Sequence, residues 1–256
     1  MIWAILFASA VLAAPPDALP LGVSGEARPQ LAIIIDDLGY SRTPYAKLAT
    51  IPGLTWSIFP SMPATRFFGA TAQQEGRCAM VHLPMQNHAY TPNQVQKFLL
   101  ISMPEREAQT LLRRHLDSLP EAQGVNNHSG DLGSENERLA GIVLRELASR
   151  GLFFVDSMTS PKSVCRSVAR REHVAFTARD VFLDDPHEGK GKPREAYVAS
   201  QLQKAVWVAR RKGHAVAIGH PHVSTLAALA REVPTLEAQG IALVPASSLV
   251  VREWEP

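Results

Sequence analysis

Acidic and imidazole side chains follow a series of short apolar runs along this chain, and their types suit metal-assisted chemistry. Asp36 and Asp37 come directly after the apolar run 31–35. Burying isolated carboxylates beside apolar segments costs several kcal/mol each unless they are paired, hydrogen-bonded or bound to a metal ion. The same placement recurs at His82, His128, Asp156, Asp184, Asp185, His220 and His222. If these runs are strands of one sheet, the side chains form a ring that can hold a cation.

The Asp36–Asp37 pair and the histidines together supply the donors of a catalytic zinc site. One Asp and two His with an open position for water suit such a site, where zinc lowers the pKa of water toward ~7 and polarises a carbonyl. One carboxylate of the pair could ligate the metal while its neighbour takes a proton from water. The pair could instead cap the turn at Leu38-Gly39, and His82 could be a hydrogen-bonded core histidine.

Other polar residues at the ends of the apolar runs could position these groups. His220 and His222 form an H-x-H pair, which is a common metal or proton-transfer arrangement. Asp156 and Asp184 could each hold an imidazole in one tautomer, or they could cap turns between strand and helix. Asn126 and Asn127 could position His128, which follows them, or contact a sugar.

The apolar runs themselves are predicted strands, and helical patterns separate them. The predicted strands are residues 31–37, 54–60, 78–84, 124–128, 152–157, 180–185, 215–220 and 242–247. This alternation indicates parallel pairing, and seven or eight such units favour a single-domain α/β fold with a closed or nearly closed barrel. The C-terminal ends of barrel strands converge on one face, where active sites lie. An open doubly wound sheet is the alternative, although the sequence has no Gly-rich phosphate loop.

Capping and breaking residues predict where helices begin and end. Ser134 with Glu137 has the spacing of a capping box, and Gly151 suits the left-handed end of that helix. Pro234 is expected to kink or split the last helix, over 225–239. The remaining histidines fall in predicted loops or helices, and we expect them at the surface; they are His88, His115, His173, His187 and His214.

The amino-terminal segment has the composition of an export signal. Residues 1–14 hold an apolar run that ends in Ala13-Ala14, as a secretory signal and its cleavage site do. An uncleaved anchor is the alternative. Residues 15–30 are rich in Pro, Gly and Ala and are a predicted linker, and residues 31–256 are the predicted domain. We therefore expect an exported protein that is periplasmic or otherwise extracytoplasmic.

Charge and cysteine content narrow the class of protein further. The formal net charge is +2, so the chain lacks the basic field of a nucleic-acid-binding protein. Cys78 and Cys165 could pair in an oxidising compartment, or they could be two buried or free thiols.

Six ordered segments carry a resemblance to a known family. IIIDDLG, HLPM, GVNNH, FFVDSMTSPKSV, DVFLDD and AVAIGHPHVSTL resemble the divergent polysaccharide deacetylase family (family 2). That family is similar in fold to the sugar deacetylase and glycoside hydrolase superfamily, with its irregular (β/α) barrel. The resemblance runs from about Leu31 to Val250. It implies an irregular (β/α)7–8 barrel in a single domain.

The resemblance also implies roles for particular residues. Carried over, Asp36 is the catalytic base and Asp37 a metal ligand. We infer that His82 and His128 supply the two imidazole ligands from separate strands. His220 matches the histidine acid of those enzymes by position, and His222 could replace either partner. The arginine-bearing motif of those enzymes has no evident counterpart in this sequence.

The function that follows is a metal-dependent hydrolase, with zinc as the expected ion. Its expected substrate is a cell-envelope polysaccharide, such as a peptidoglycan-like glycan, from which it removes acyl groups, most simply acetyl. The alternative is a non-catalytic envelope protein that binds a glycan or a protein partner on a retained barrel. Glycosidic bond hydrolysis by paired acids is a third possibility.

Overall fold

The computed structural model describes residues 28–185 and 194–253. The predicted signal, residues 1–14, and all but the end of the predicted linker, residues 15–30, lie outside these ranges. Within them, no helix combines the length and apolar character needed to cross a membrane.

One parallel sheet forms the centre of the molecule. Its strands are β1 (Gln30–Leu38), β2 (Leu54–Ile58), β3 (Ala79–Met85), β4 (Gly124–Ser129), β5 (Phe153–Asp156), β6 (Phe176–Ala178), β7 (Val181–Phe182), β8 (His214–Gly219) and β9 (Ala242–Leu243). Their order is β6-β5-β4-β3-β2-β1-β8-β7, with β9 also paired to β1, and every ladder between named strands is parallel. The sheet curls into an incomplete barrel, and the predicted α/β barrel fold is confirmed.

The helices connect successive strands. They are α1 (Tyr45–Leu48), α2 (Thr65–Gln74), α3 (Glu105–Asp117), α4 (Asp131–Glu135), α5 (Glu137–Arg150), α6 (Cys165–Arg171), α7 (Glu195–Lys212) and α8 (Val223–Leu236), and a 3₁₀ helix spans Ala246–Ser248. Because each connection returns the chain to the same end of the sheet, the strand ends that carry Asp and His meet at one edge.

The alternation of side chains along β1 divides the core in two. Ile33 and Ile35 pack in the larger cluster between sheet and helices, whereas Ala32 and Ile34 pack in a smaller cluster. Leu249, from the C-terminal segment, belongs to this second cluster. Successive strand residues face opposite sides of a sheet, so a strand buried on both sides reads as a continuous apolar run.

Two predicted strands differ from the structure. The run 180–185 contributes only β7, and β6 precedes it. The run 242–247 contributes only β9, because the chain turns at Pro245 into the 3₁₀ helix. β7 is the last strand of the sheet order, and β9 pairs, among the described residues, only with Gln30 and Leu31 at the start of β1.

Helix α5 begins at a different residue from the one predicted and ends at the predicted glycine. The N-cap of α5 is Asn136, whose side chain accepts a hydrogen bond from Leu139 N at 2.9 Å, and Ser134 lies in α4. Gly151 ends α5 in the left-handed conformation, with φ 67°, as predicted. Pro234 does not split α8, which continues to Leu236.

His115 and the two cysteines are buried in the fold. The expectation that His115 lies at the surface is wrong, because it is 3% exposed and its Nε2 lies 2.7 Å from the carbonyl oxygen of Lys97. His115 sits on the inner, amphipathic face of α3, where a histidine with a backbone partner can be buried. Cys78 and Cys165 are both buried and unpaired.

Candidate metal centre and active site

An irregularity at the end of β1 brings two adjacent carboxylates to the same place. The register of β1 with β2 shifts between Ile35 and Leu38, and Asp37 between them has φ 58°. Asp tolerates this left-handed conformation better than most residues do, and a bulge redirects side chains that a regular strand would send to opposite faces. As a result, the Oδ1 atoms of Asp36 and Asp37 lie 3.7 Å and 3.1 Å from opposite nitrogens of one ring, that of His82.

Three ligand atoms from three strands converge beside this bulge. Asp37 Oδ1 lies 3.1 Å from His82 Nε2 and 3.4 Å from His128 Nδ1, and the two ring nitrogens are 3.0 Å apart. These residues form a group whose donor atoms could hold one metal ion. These are the three residues expected from separate strands, and the structure brings them together.

The donor chemistry of this triad fits a divalent metal ion. Among the described residues, no donor makes a well-aligned hydrogen bond to the buried Asp37 Oδ1, although two ring nitrogens face it. Donor atoms around tetrahedral zinc lie about 3.3–3.5 Å from one another, given bond lengths of about 2.0–2.2 Å. The three separations in the triad are 3.0, 3.1 and 3.4 Å. Small side-chain movements would therefore accommodate such an ion.

Charges within the triad shift its pKa values in opposite directions. Burial alone would raise the pKa of Asp37, but contacts with the imidazoles of His128 and His82 hold it well below its usual value. Burial would lower the pKa of His82, and the carboxylates of Asp36 and Asp37 raise it overall. For His128 burial prevails, and the pKa is lowered. An ionised carboxylate and a neutral imidazole are the forms that bind metals.

The buried amide of Asn126 connects the base to the metal ligands. Its Oδ1 lies 3.0 Å from His82 Nδ1 and accepts a hydrogen bond from Ser57 Oγ at 2.5 Å. Its Nδ2 donates to Asp36 Oδ1 at 2.9 Å and to Ser157 Oγ at 3.2 Å. Because His82 Nδ1 faces an acceptor, it carries a proton, and Nε2 of the neutral ring is then the nitrogen available to a metal ion. Asn126 was expected to position His128 or contact a sugar, whereas its amide lies between His82 and Asp36.

His220 faces the triad from β8 and is held from behind by Asp184. The His220 Nδ1 lies 2.9 Å from Asp184 Oδ1, and its Nε2 lies 4.0 Å from Asp37 Oδ2. Asp184 Oδ2 accepts hydrogen bonds from the His220 backbone N–H and from Thr225 Oγ1, each at 2.7 Å. Burial would lower the pKa of His220, but the hydrogen bond to Asp184 and the charge of Asp37 raise it to about 9.

His222 lies outside the triad, at the N-cap of α8. Its ring centroid is 5.7 Å from that of His220, and with Asp184 these residues form a second group of possible metal ligands. Both Asp184 oxygens already accept hydrogen bonds, so this group is better suited to positioning His220 than to holding an ion.

Asn127 and Asp156 organise the backbone beside the cavity. Asn127 Oδ1 accepts from the backbone N–H of Ser157 at 2.9 Å, and its Nδ2 donates to Ser129 O at 2.8 Å. Asp156 accepts hydrogen bonds from Met158 N at 2.8 Å and from a serine hydroxyl at 2.6 Å. The structure gives Asp156 no histidine partner among these contacts, so it caps the turn after β5.

A polar cavity of about 510 Å³ opens beside the triad. Asp36, His82, His128 and His220 border it on one side. The rest of its wall includes hydroxyl, amide and charged groups from Asn127, Ser129, Ser157, Thr159, Arg179 and Asp185. Such a lining can hydrogen-bond the hydroxyl groups of a saccharide.

Arg179 is a site residue that the sequence analysis did not identify. It follows β6, and its guanidinium donates to the carbonyl oxygens of Ser157 at 2.7 Å and Met158 at 3.0 Å. Burial lowers the pKa of Arg179, and the nearby carboxylates of Asp185 and Asp36 offset only part of this effect. Arg179 was not predicted because it follows β6, a strand of only three residues that the sequence pattern did not indicate.

Comparison with known sequences identifies relatives of this chain. The family model described as divergent polysaccharide deacetylase matches residues 33–250. The uncharacterized protein YibQ of Escherichia coli K12 is 32% identical over 222 residues, which cover 86% of this chain and 67% of that protein. A protein of Haemophilus influenzae is 32% identical over 208 residues, 79% of this chain and 70% of the relative.

Comparison with solved structures supports the fold. The crystal structure of protein ATU2773 from Agrobacterium tumefaciens C58 superposes with a TM-score of 0.81 at 24% identity, covering 90% of this chain and 92% of that one. The peptidoglycan deacetylase PdaC from Bacillus subtilis gives a TM-score of 0.52 at 13% identity, over 87% of this chain and 90% of that one.

Proposed function

This chain belongs to the divergent polysaccharide deacetylase family, and we propose that it is a metal-dependent hydrolase that removes acyl groups from a cell-envelope polysaccharide. Acetyl is the simplest acyl group, and zinc is the ion we propose. A peptidoglycan-like glycan is the proposed substrate class. The amino-terminal composition described above supports an exported, periplasmic location.

The convergence of Asp37, His82 and His128 is the observation that carries this proposal. A carboxylate oxygen and two ring nitrogens lie within 3.4 Å of one another. A polar cavity of about 510 Å³ lies directly beside them. Non-catalytic glycan binding would need the cavity but not these three donors.

The metal ion would supply Lewis acidity to the acyl carbonyl and acidify the attacking water. The residues of this chain perform the proton transfers. Asp36 is 3% exposed and borders the cavity, so it takes a proton from the attacking water as general base. The amide of Asn126 donates a hydrogen bond to Asp36 Oδ1 at 2.9 Å and so fixes the orientation of this carboxylate.

His220 is suited to act as the general acid. Asp184 accepts from Nδ1–H and so directs Nε2–H toward the cavity, where the leaving nitrogen or oxygen of the saccharide needs a proton. Because its pKa is raised to about 9, His220 carries that proton at neutral pH. Two groups with opposite proton tasks are thus held on either side of the triad, as general acid–base hydrolysis requires.

Acetate release from acetylated glycans tests this proposal. The full chain is incubated with zinc and either N-acetylated peptidoglycan fragments or acetylated xylan, and free acetate is measured with and without a chelator. We expect acetate release that the chelator abolishes and that added zinc restores. Glycan binding without acetate release, unchanged in Asp36→Asn and Asp37→Asn, would show a binding protein instead. New reducing ends without acetate would show a glycosidase.

A further inference from the structure

A second cavity, of about 630 Å³, shares Asp37 with the metal centre. We name it the α1–α8 groove, because it lies between the segment around α1 and the start of α8. Most of its lining comes from Tyr40, Pro44, Pro221, Val223, Leu226 and Ala227. Its volume is within the range of about 300–1000 Å³ that small-molecule sites occupy.

The groove is mainly apolar, although Ser41, Thr43 and Lys47 also line it, whereas the cavity beside the triad is polar. Val223, Leu226 and Ala227 are spaced so that they share one face of α8, and Val223 is 88% exposed. Tyr40 is 43% exposed and is fixed by an edge-to-face contact with Phe59, at a centroid distance of 5.0 Å. Exposed apolar surfaces often mark ligand sites, and this one adjoins the proposed reaction centre.

The two cavities differ in the part of a substrate that each can bind. Saccharide hydroxyl groups need hydrogen-bond partners, and the polar cavity supplies them through Asn127, Thr159 and Arg179. The groove offers mainly hydrocarbon surface, which cannot hydrogen-bond the hydroxyl groups of a sugar but can pack against an alkyl chain. Asp37 borders the groove and also belongs to the triad. An acyl chain that extends from the polarised carbonyl carbon on the side of Asp37 would face the groove.

We propose that the α1–α8 groove binds a linear aliphatic acyl chain, so that this protein removes acyl groups longer than acetyl from its saccharide. This inference rests on the proposed function and names its substrate class. In the reaction, the oxygen of water adds to the acyl carbon and the acyl C–N or C–O bond breaks. The saccharide leaves with the proton from His220, and the chain leaves as a fatty carboxylate.

A series of 4-nitrophenyl esters from acetate to octanoate tests the chain-length preference. With the zinc-loaded full chain, we expect kcat/KM to rise by up to about fourfold for each methylene that the groove buries. Val223→Asp places a carboxylate in the groove at an exposed position, and an acidic residue at the start of a helix is compatible with folding. This variant should lose at least tenfold in kcat/KM for octanoate and less than twofold for acetate.

Two further variants control for effects outside the groove. Val95→Asp makes the same change at another exposed valine, 72% exposed, and should leave the whole series unchanged. Ala227→Phe fills the groove with hydrocarbon and should also reduce octanoate hydrolysis while sparing acetate. A rate that falls with chain length in the wild type, or equal profiles for Val223→Asp and Val95→Asp, would overturn the proposal.

Binding of a fluorescent fatty acid, cis-parinaric acid, to the metal-free chain gives a readout that does not depend on turnover. We expect saturable binding that Val223→Asp weakens at least tenfold and Val95→Asp does not. Such binding without any ester hydrolysis would support the groove while contradicting the proposed function. Acetate hydrolysis without fatty-acid binding would refute the groove and leave the proposed function intact. Absence of both would refute both.

Discussion

Replacing Asp184 with Asn should lower the pKa of His220 and remove a pH-dependent part of the stability. Asp184 is 1% exposed and its Oδ1 lies 2.9 Å from His220 Nδ1. The pKa of His220 is about 9 in the fold against an ordinary value of 6.5. In Asp184→Asn, the burial of His220 is no longer opposed by that carboxylate, and we expect the pKa of His220 to fall toward 6.5 or below.

The magnitude follows from linkage between protonation and folding. A rise from 6.5 to about 9 corresponds to about 3 kcal/mol, at roughly 1.4 kcal/mol for each pKa unit. Because the folded pKa is raised, this stability is fully present below pH 6.5 and is lost as pH rises through about 9. At pH 6 the free energy of unfolding of Asp184→Asn should therefore lie below that of wild type by up to about 3 kcal/mol, because Asp37 and Asp36 supply part of the raised pKa. The difference should shrink by pH 10.

Urea unfolding of the metal-free chain across this pH range measures the effect, and NMR titration of the histidine rings gives the pKa directly. Asp156→Asn is the matched control, because Asp156 is also 1% exposed and also lies at a strand end, that of β5, yet it accepts hydrogen bonds from Met158 N and Ser163 Oγ. The loss in free energy of unfolding caused by Asp156→Asn should not change with pH as His220 titrates. Equal pH dependence in both variants, or an unchanged His220 pKa in Asp184→Asn, would refute the reasoning.

Four further substitutions separate the roles of the site residues. Asn126→Ala should weaken zinc binding by roughly 10–100-fold, because His82 loses the partner that orients it. Asn127→Ala should leave zinc affinity nearly unchanged. Competition with a chromophoric chelator measures both affinities. Asp36→Asn should keep one bound metal per chain but lower kcat by at least about 100-fold, as metal analysis and acetate release will show. Arg179→Ala should raise KM for an acetylated glycan and leave 4-nitrophenyl acetate hydrolysis nearly unchanged, because this residue borders the saccharide cavity, and steady-state kinetics with both substrates will test this.

The strands that carry the site could be predicted because burial on both faces leaves a clear trace in sequence. Runs such as 31–35 are apolar at every position, since alternate residues face the two clusters of the core. The polar residue that ends each run is then conspicuous. For this reason the carboxylate and imidazole positions were evident before their contacts were known.

Other features depend on contacts that no local pattern records. β6 has only three residues, too few for a periodicity, and so Arg179 after it was missed. The bulge at Asp37 depends on the register between β1 and β2, which is a property of two strands together. The α1–α8 groove forms between segments about 180 residues apart in sequence, and its apolar residues look like ordinary helix surface when read singly.

Metal content in ligand variants tests the central claim most directly. The tag-free full chain is loaded with zinc, dialysed, and analysed by inductively coupled plasma mass spectrometry alongside His82→Ala, His128→Ala and His222→Ala. The convergence of Asp37, His82 and His128 predicts about one zinc per wild-type chain, near-complete loss in the first two variants, and retention in His222→Ala. Full occupancy in His82→Ala and His128→Ala, or no zinc in a folded wild-type chain, would contradict the account.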